Sequence, residues 1–141
     1  EYATRHRLSP LYALHAARLQ LVKGLPKADT IVDLGGGAAD SEAGALVLMG
    51  YPYRFDTLTV VEPPPADRHD IYKDVAPGDP RRFDTGRGVV HYLYSSMADL
   101  SGIPSGSVDL VFSGESIEHV SREDCVRVLA ETRRVLKPTG W

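Results

Sequence analysis

The sequence has only one cysteine, Cys125, in 141 residues. One thiol cannot close an internal disulfide, and no cysteine–histidine spacing of the zinc-site type exists. Long apolar runs are also missing, which excludes a helix long enough to cross a bilayer, and no signal-like segment is visible at the start. Neither sign of charge dominates. The net charge is −3, with Lys and Arg scattered, so no basic patch offers itself to nucleic acid. These absences point to a reducing, cytoplasmic setting with no membrane insertion and no nucleic-acid partner. The chain starts at Glu1 rather than Met. It stops at "RVLKPTGW", where a helix has just ended and a strand would normally begin. A piece of a longer protein is expected.

What is present is ordinary for a globular chain: 43% hydrophobic and 25% charged residues, enough for one domain with a real core. "LSPLYALHAARLQLVKGL" reads as a helix with Ser9 as N-cap and Pro10 as its first residue. Leu11, His15, Leu19 and Val22 share one face, joined by Leu8 and Tyr12, and Gly24 and Pro26 stop it. Short apolar runs at "DTIVDL", "TLTVVE", "VVHYLYSS" and "SVDLVFS" read as four strands. A small-residue helix, "SEAGALVLMG", lies between the first two. Residues 63–88 read as a connector with room for one short helix near Ala66–Val75 and a loose, mobile loop. "SREDCVRVLAETRRVLK" is the strongest helix. Ser121 caps it, Asp124 closes a box-like pair, and Cys125, Val128, Leu129, Thr132, Val135 and Leu136 form its inner face.

Strands alternating with helices predict a parallel α/β sheet covered on both sides. In such sheets ligands gather beyond the carboxyl ends of the strands. The polar candidates fall there: Asp33 ends the first strand, Glu62 the second, Asp99 follows the third, and Ser113 to Glu115 follow the fourth. Directly after Asp33 stand Gly35, Gly36 and Gly37, which cost backbone entropy and suit a close approach to the main chain. Read as the dinucleotide fingerprint G-x-G-x-x-G/A, this loop would put Asp40 at its last position, where a carboxylate repels pyrophosphate. The Gly-Lys-Ser/Thr end of a P-loop is absent. The loop therefore suits a ligand that is positive where the loop is acidic.

"VDLGGGAA", followed in order by "VVEP", "MADLSGIPSGSVDLVFSGESIEHV" and "EDCVRVLAETRRVLKPTG", resembles the class I S-adenosylmethionine-dependent methyltransferases from about Thr30 onwards, with Ala39 in place of the motif's last glycine. The resemblance implies a Rossmann-like three-layer sandwich with parallel strand order 3-2-1-4, here truncated before strands 5–7. Residues 1–28 would form an N-terminal helical cap and 29–141 the cofactor-binding domain. It implies S-adenosyl-L-methionine as cofactor. Asp33 would lie near its ammonium group, directly or through water. Gly35, Gly36 and Gly37 would approach its methionine part and ribose, Glu62 would take the ribose hydroxyls, and Asp99 the adenine amino group. Met97 and Ala98 would lie against the adenine, and Ser113 and Gly114 would complete the set. Tyr12 and the Arg5–His6–Arg7 stretch are candidates to cover the pocket.

A sulfonium is already an activated leaving group, so the protein must mainly align an acceptor and exclude water. A hydroxyl acceptor also needs a base, and Glu115, Glu118 and His119 stand on that side, His119 being the catalytic candidate. Asp109 matches a family acid whose role is mainly structural. No Asn/Asp-Pro-Pro-Tyr-like motif of amine methylation follows the fourth strand. That tilts the acceptor towards oxygen or carbon on a small molecule, sugar or lipid. Two alternatives stay open: an NAD-dependent oxidoreductase, disfavoured by Asp40, and a non-catalytic cofactor-binding or scaffold domain. With no fifth strand, the apolar edge of the fourth is expected to lie open and to invite a homodimer.

Overall fold

Each short apolar run forms a strand in the computed structural model, which describes residues 10–38, 41–67 and 82–141. Helix α1 is Pro10–Lys23, β1 Thr30–Leu34, α2 Ala45–Leu48, β2 Thr57–Glu62, β3 Arg82–Asp84, β4 Val89–Tyr94, β5 Leu110–Ser113 and α3 Arg122–Val135. The sheet order is β3-β4-β2-β1-β5. Strands β4, β2, β1 and β5 are all parallel and stand in the expected 3-2-1-4 order. Ser9, the Arg5–His6–Arg7 stretch, Ala39, Asp40 and the connector from 68 to 81 lie outside the described residues, as do the side chains of Leu11 and Tyr12.

Two elements differ from the sequence reading. β3 is an antiparallel addition to β4, pairing Arg82 with His91 and Asp84 with Val89, in a stretch read as loop. Three residues, two of them charged, are too few to display an alternating pattern. The helix expected over 41–50 shrinks to Ala45–Leu48, because Gly44 stands at φ 82°, a left-handed geometry that interrupts the helix before it. Of the expected short helix near residue 66, the described part is a single 3-10 turn, Pro65–Asp67.

The parallel strands bury both faces, as their near-continuous Val/Ile/Leu runs require. One face gathers Ile31, Leu58, Val60, Val90 and Phe112 with Val22 of α1 and Leu46 of α2. The other gathers Val32, Leu34 and Val61 with Val128 and Val135 of α3. Three layers result. Helix α3 starts as predicted, with Asp124 N–H donating to Ser121 Oγ at 3.0 Å. Its inner face is narrower than expected, since Leu129 is 58% exposed. Helix α1 is attached more thinly still: Val22 is fully buried, whereas Leu14, His15 and Leu21 face solvent.

The edge of β5 is not left open along its length. Lys137 N–H donates to Val108 O at 2.8 Å, Trp141 N–H to Asp109 O at 2.9 Å, and Val111 N–H to Trp141 O at 2.9 Å. Residues 136–141 thus line the first half of the edge that was expected to recruit a second chain. Asp109 pins this corner, accepting from Thr30 N–H at 2.9 Å and from Lys137 Nζ at 2.7 Å. Those donors hold its carboxyl below the usual carboxylate range, the Lys137 hydrogen bond foremost. Asp109→Ala should destabilise the fold by about 1.5–3 kcal/mol, the range for a hydrogen bond to a charged group. Urea denaturation at neutral pH measures it, and an unchanged midpoint would make the corner ornamental.

Candidate functional site

Parallel strands bring their carboxyl ends to one edge, so the loops after Leu34, Glu62, Tyr94 and Ser113 share that edge. β1 is central, between β2 and β5, and the glycine loop that leaves it lies between the other loops.

Asp33 is 1% exposed. Its Oδ2 accepts the Leu46 N–H at 3.3 Å, and a Cβ on Gly36 would fall 2.1 Å from that oxygen. The carboxylate therefore packs against the bare Cα of Gly36 instead of standing on the open face of the loop. Burial pushes its pKa up to about 7; the Leu46 N–H and Arg18 oppose this, while Glu62 adds to it. Glu62 is half-buried, and its Oε1 accepts the Gly37 N–H at 2.5 Å. The loop after β4 is fastened to the same strand end, with Ser95 N–H donating to Glu62 O at 2.9 Å.

Met97 and Ala98 are half-buried against the α3-side core. Asp99 is exposed, and its Oδ1 accepts the Ser101 N–H at 3.1 Å; the Ser101 side chain first, and then that N–H, lower its pKa. Ala98 and Asp99 line an open cleft of about 650 Å3 together with Ser101, Arg127, Ala130, Glu131 and Arg134.

After β5, Ser113 Oγ lies 2.7 Å from Ser116 Oγ, and the Gly114 carbonyl accepts from Arg18 at 3.1 Å. Glu115 takes φ 65°, a left-handed geometry that costs any residue with a Cβ. His119 and Glu118 are exposed on the 3-10 turn Ile117–His119.

Three residues at this edge escaped the sequence reading. Arg18 reaches from α1 to Glu115 at 2.6 Å. Ser116 is buried and donates to Leu34 O at 2.5 Å. Tyr92 is buried on β4; its hydroxyl pKa is pushed up to about 12, first by burial and then by Glu62, Tyr94, Asp33 and Glu42. A signal for Arg18 did exist: it lies three residues after His15 and four before Val22, on the face chosen for α1.

The chemistry of this edge suits a ligand that carries positive charge and hydroxyl or amino donors. Carboxylates stand at the ends of β1 and β2 and in the loop after β4. Between the first two runs a loop with no side chains, where a Cβ on Gly37 would fall 2.6 Å from Glu62 Oε1. The bare backbone and the acceptors fit S-adenosylmethionine, whose sulfonium and ammonium are cationic and whose ribose and adenine present donors. Among the described residues no cluster of His, Cys, Asp and Glu could hold a metal ion. No described helix is long and apolar enough to cross a membrane.

Comparison with known proteins follows the same line. The sequence pattern of the methyltransferase domain family matches residues 68–141, just over half of the chain. Among solved structures, the chain is similar to an arsenic(III) S-adenosylmethionine methyltransferase from Chlamydomonas reinhardtii. The identity is 23% and the TM-score 0.53, over 90% of this chain and 46% of that one. The chain thus spans less than half the length of that neighbour. No curated protein matches the sequence.

Proposed function

Because this chain belongs to the methyltransferase domain family, we propose that it binds S-adenosyl-L-methionine and serves methyl transfer to oxygen or carbon of a small-molecule, sugar or lipid acceptor. The observation that carries this reading is the side-chain-free loop Gly35–Gly37, set between the buried Asp33 and Glu62, whose carboxylate already holds the Gly37 N–H. When bound, the cofactor supplies a methyl group on a positively charged sulfur.

The chain's own residues then have distinct tasks. Glu62 accepts from the two ribose hydroxyls, a pair of donors that one carboxylate can serve. Asp99 accepts from the adenine amino group, with Met97 and Ala98 against the ring. Gly35, Gly36 and Gly37 admit the methionine part close to the backbone. Asp33 holds negative charge beneath the loop, and Ser113 and Gly114 border the methyl end. His119, one turn beyond, is the candidate base for a hydroxyl acceptor. Of the cap proposed over residues 1–28, the described helical part is α1, which sits on the domain formed by 29–141.

The acceptor reading rests on Ser113-Gly114-Glu115, which stands where an amine-methylating motif would carry its Asn/Asp-Pro-Pro-Tyr.

Calorimetric titration with S-adenosylmethionine, S-adenosylhomocysteine and NAD tests the reading. Saturable binding of the first two and none of NAD is expected. Binding of NAD alone would install the oxidoreductase alternative. Acceptor-dependent release of S-adenosylhomocysteine would then separate an enzyme from a binding domain.

A further inference from the structure

Among the described residues, Arg18 carries helix α1 to the ligand edge. The guanidinium of Arg18 donates to Glu115 Oε2 at 2.6 Å and to the Gly114 carbonyl at 3.1 Å. The side chain is only 17% exposed, and its Nε–H is buried with no hydrogen-bond partner among the described residues. Burying a guanidinium with one donor unmatched is a poor way to gain stability. The pair has another consequence. Arg18 grips both the side chain of Glu115 and the carbonyl before it, across the one non-glycine residue with a positive φ among the described residues.

That left-handed turn sends the next residue, Ser116, inwards. Ser116 donates to Leu34 O at 2.5 Å, so Ser113 must donate to Ser116 across their 2.7 Å contact. Leu34 is the last residue of β1 and Gly35 the first of the glycine loop. Gly35 sits at φ 69°, and a Cβ there would fall 2.4 Å from Ser116 Cβ. One continuous chain of contacts therefore runs from α1 through Arg18, Glu115 and Ser116 to the root of the glycine loop.

Resting on the cofactor reading above, we infer that Arg18, Glu115 and Ser116 are positioning residues. Through them, helix α1 fixes the glycine loop and so sets the affinity for the methionine end of the cofactor, without the three necessarily touching it. The nucleoside end is held by Glu62 and the loop containing Asp99; Glu62 meets the glycine loop at Gly37, two residues beyond Gly35, where this chain of contacts ends.

Calorimetry on the chain as it stands, with S-adenosylhomocysteine and with 5′-methylthioadenosine, which lacks the amino-acid part, separates the two ends. Arg18→Met and Ser116→Ala should each weaken S-adenosylhomocysteine by about tenfold, the scale of one charge-assisted or buried hydrogen bond. Each should change 5′-methylthioadenosine by less than about twofold. Because the residues act in series, the double variant should bind no worse than the weaker single one. Independent contributions would multiply to about a hundredfold. Arg18→Lys, which keeps a charge for Glu115, should recover part of the loss.

If Ser116→Ala does not fold, Glu115→Gln, cut at a more exposed atom of the same chain, carries the same expectation. Unchanged S-adenosylhomocysteine binding, equal losses on both ligands, or multiplied losses in the double variant would each overturn the inference while leaving the cofactor reading intact. A wild-type chain that binds neither ligand would remove the cofactor reading itself and this inference with it.

Discussion

Asp33→Asn is expected to make the protein more stable at pH 8 and at the same time a poorer binder. The carboxyl is fully buried and its pKa stands at about 7, against 3.8 for the free group. A pKa raised on folding means that the native state holds a proton which the unfolded chain releases. The stabilisation is complete below about pH 4 and is lost as pH rises towards 7. With ~1.4 kcal/mol per unit, the loss from this one group is at most about 4 kcal/mol. Asparagine keeps an oxygen for the Leu46 N–H and carries no charge to desolvate.

Urea denaturation at pH 5 and pH 8 should show wild type weakening across that interval and Asp33→Asn changing little. The carboxyls whose pKa values are depressed, Asp99, Asp109, Asp124 and Glu131, act in the opposite direction and at lower pH. Their stabilisation is present above their unfolded values and disappears as pH falls through the folded ones, so they lie below the pH 5–8 window. Within it His91, whose pKa is lowered by burial and then by Arg82, works against Asp33 by adding stability as pH rises, and the comparison with Asp33→Asn cancels that contribution. Wild type gaining stability from pH 5 to pH 8 would show that Asp33 is ionised and well compensated in the fold. On the binding side, a cationic ligand is favoured by the ionised form. S-adenosylmethionine affinity should therefore strengthen as pH approaches 7 in wild type and lose that trend in the variant. A group that weakens the fold at the pH where its charge is useful is a familiar feature of ligand sites.

The second large effect concerns Glu62. Its carboxylate shapes the glycine loop through the Gly37 N–H and, in the proposed complex, accepts from the ribose. Hydrogen bonds to a charged acceptor are worth about 1.5–3 kcal/mol each, so Glu62→Ala should weaken S-adenosylhomocysteine by about ten- to a hundredfold or more. The glycines provide the control. The sequence alone suggests that side chains at Gly35 and Gly37 would collide with ligand. The structure shows that they would first collide with the protein, and in unequal ways. At Gly37 the added Cβ meets the flexible end of Glu62 at 2.6 Å, which can swing aside. Gly37→Ala should therefore fold normally and bind weakly. At Gly35 the Cβ meets Ser116 Cβ at 2.4 Å on a backbone at φ 69°, and neither can yield cheaply. Gly35→Ala should lower the melting temperature. Equal behaviour of the two variants in both calorimetry and thermal melts would defeat this assignment.

The four parallel strands were legible because each is a short apolar run bounded by glycine, proline, serine or an acid, and buried parallel strands need little else. The position of Glu62 was legible for the same reason, as the acid that closes β2, whereas Asp33, one residue before the end of β1, is buried beneath the glycine loop rather than exposed at the rim. What escaped notice lies where sequence patterns carry no period. β3 is three residues long. The left-handed Gly44 shortened a helix whose composition promised ten residues. Arg18 sat in view on the chosen face of α1, yet an arginine in an amphipathic pattern is assigned to water by default. Ser116 looked like one of many loop serines, and only the positive φ of Glu115, invisible in the sequence, turns it inwards. The edge of β5 was judged by the strand that should follow it, whereas residues 136–141 fold back along it.

The hydroxyl of Ser116 meets the end of β1 across 82 positions of chain, and Asp109 meets the start of β1 across 79. Contacts of such range close large loops and come late and slowly in folding. During synthesis β1 and the glycine loop leave the ribosome long before the residues that fix them. Until the chain has emerged past Ser116, the loop has its glycines but not its shape. Ligand capture should therefore report on the finished sheet, and a nascent chain lacking β5 should hold the methionine end of the cofactor weakly or not at all.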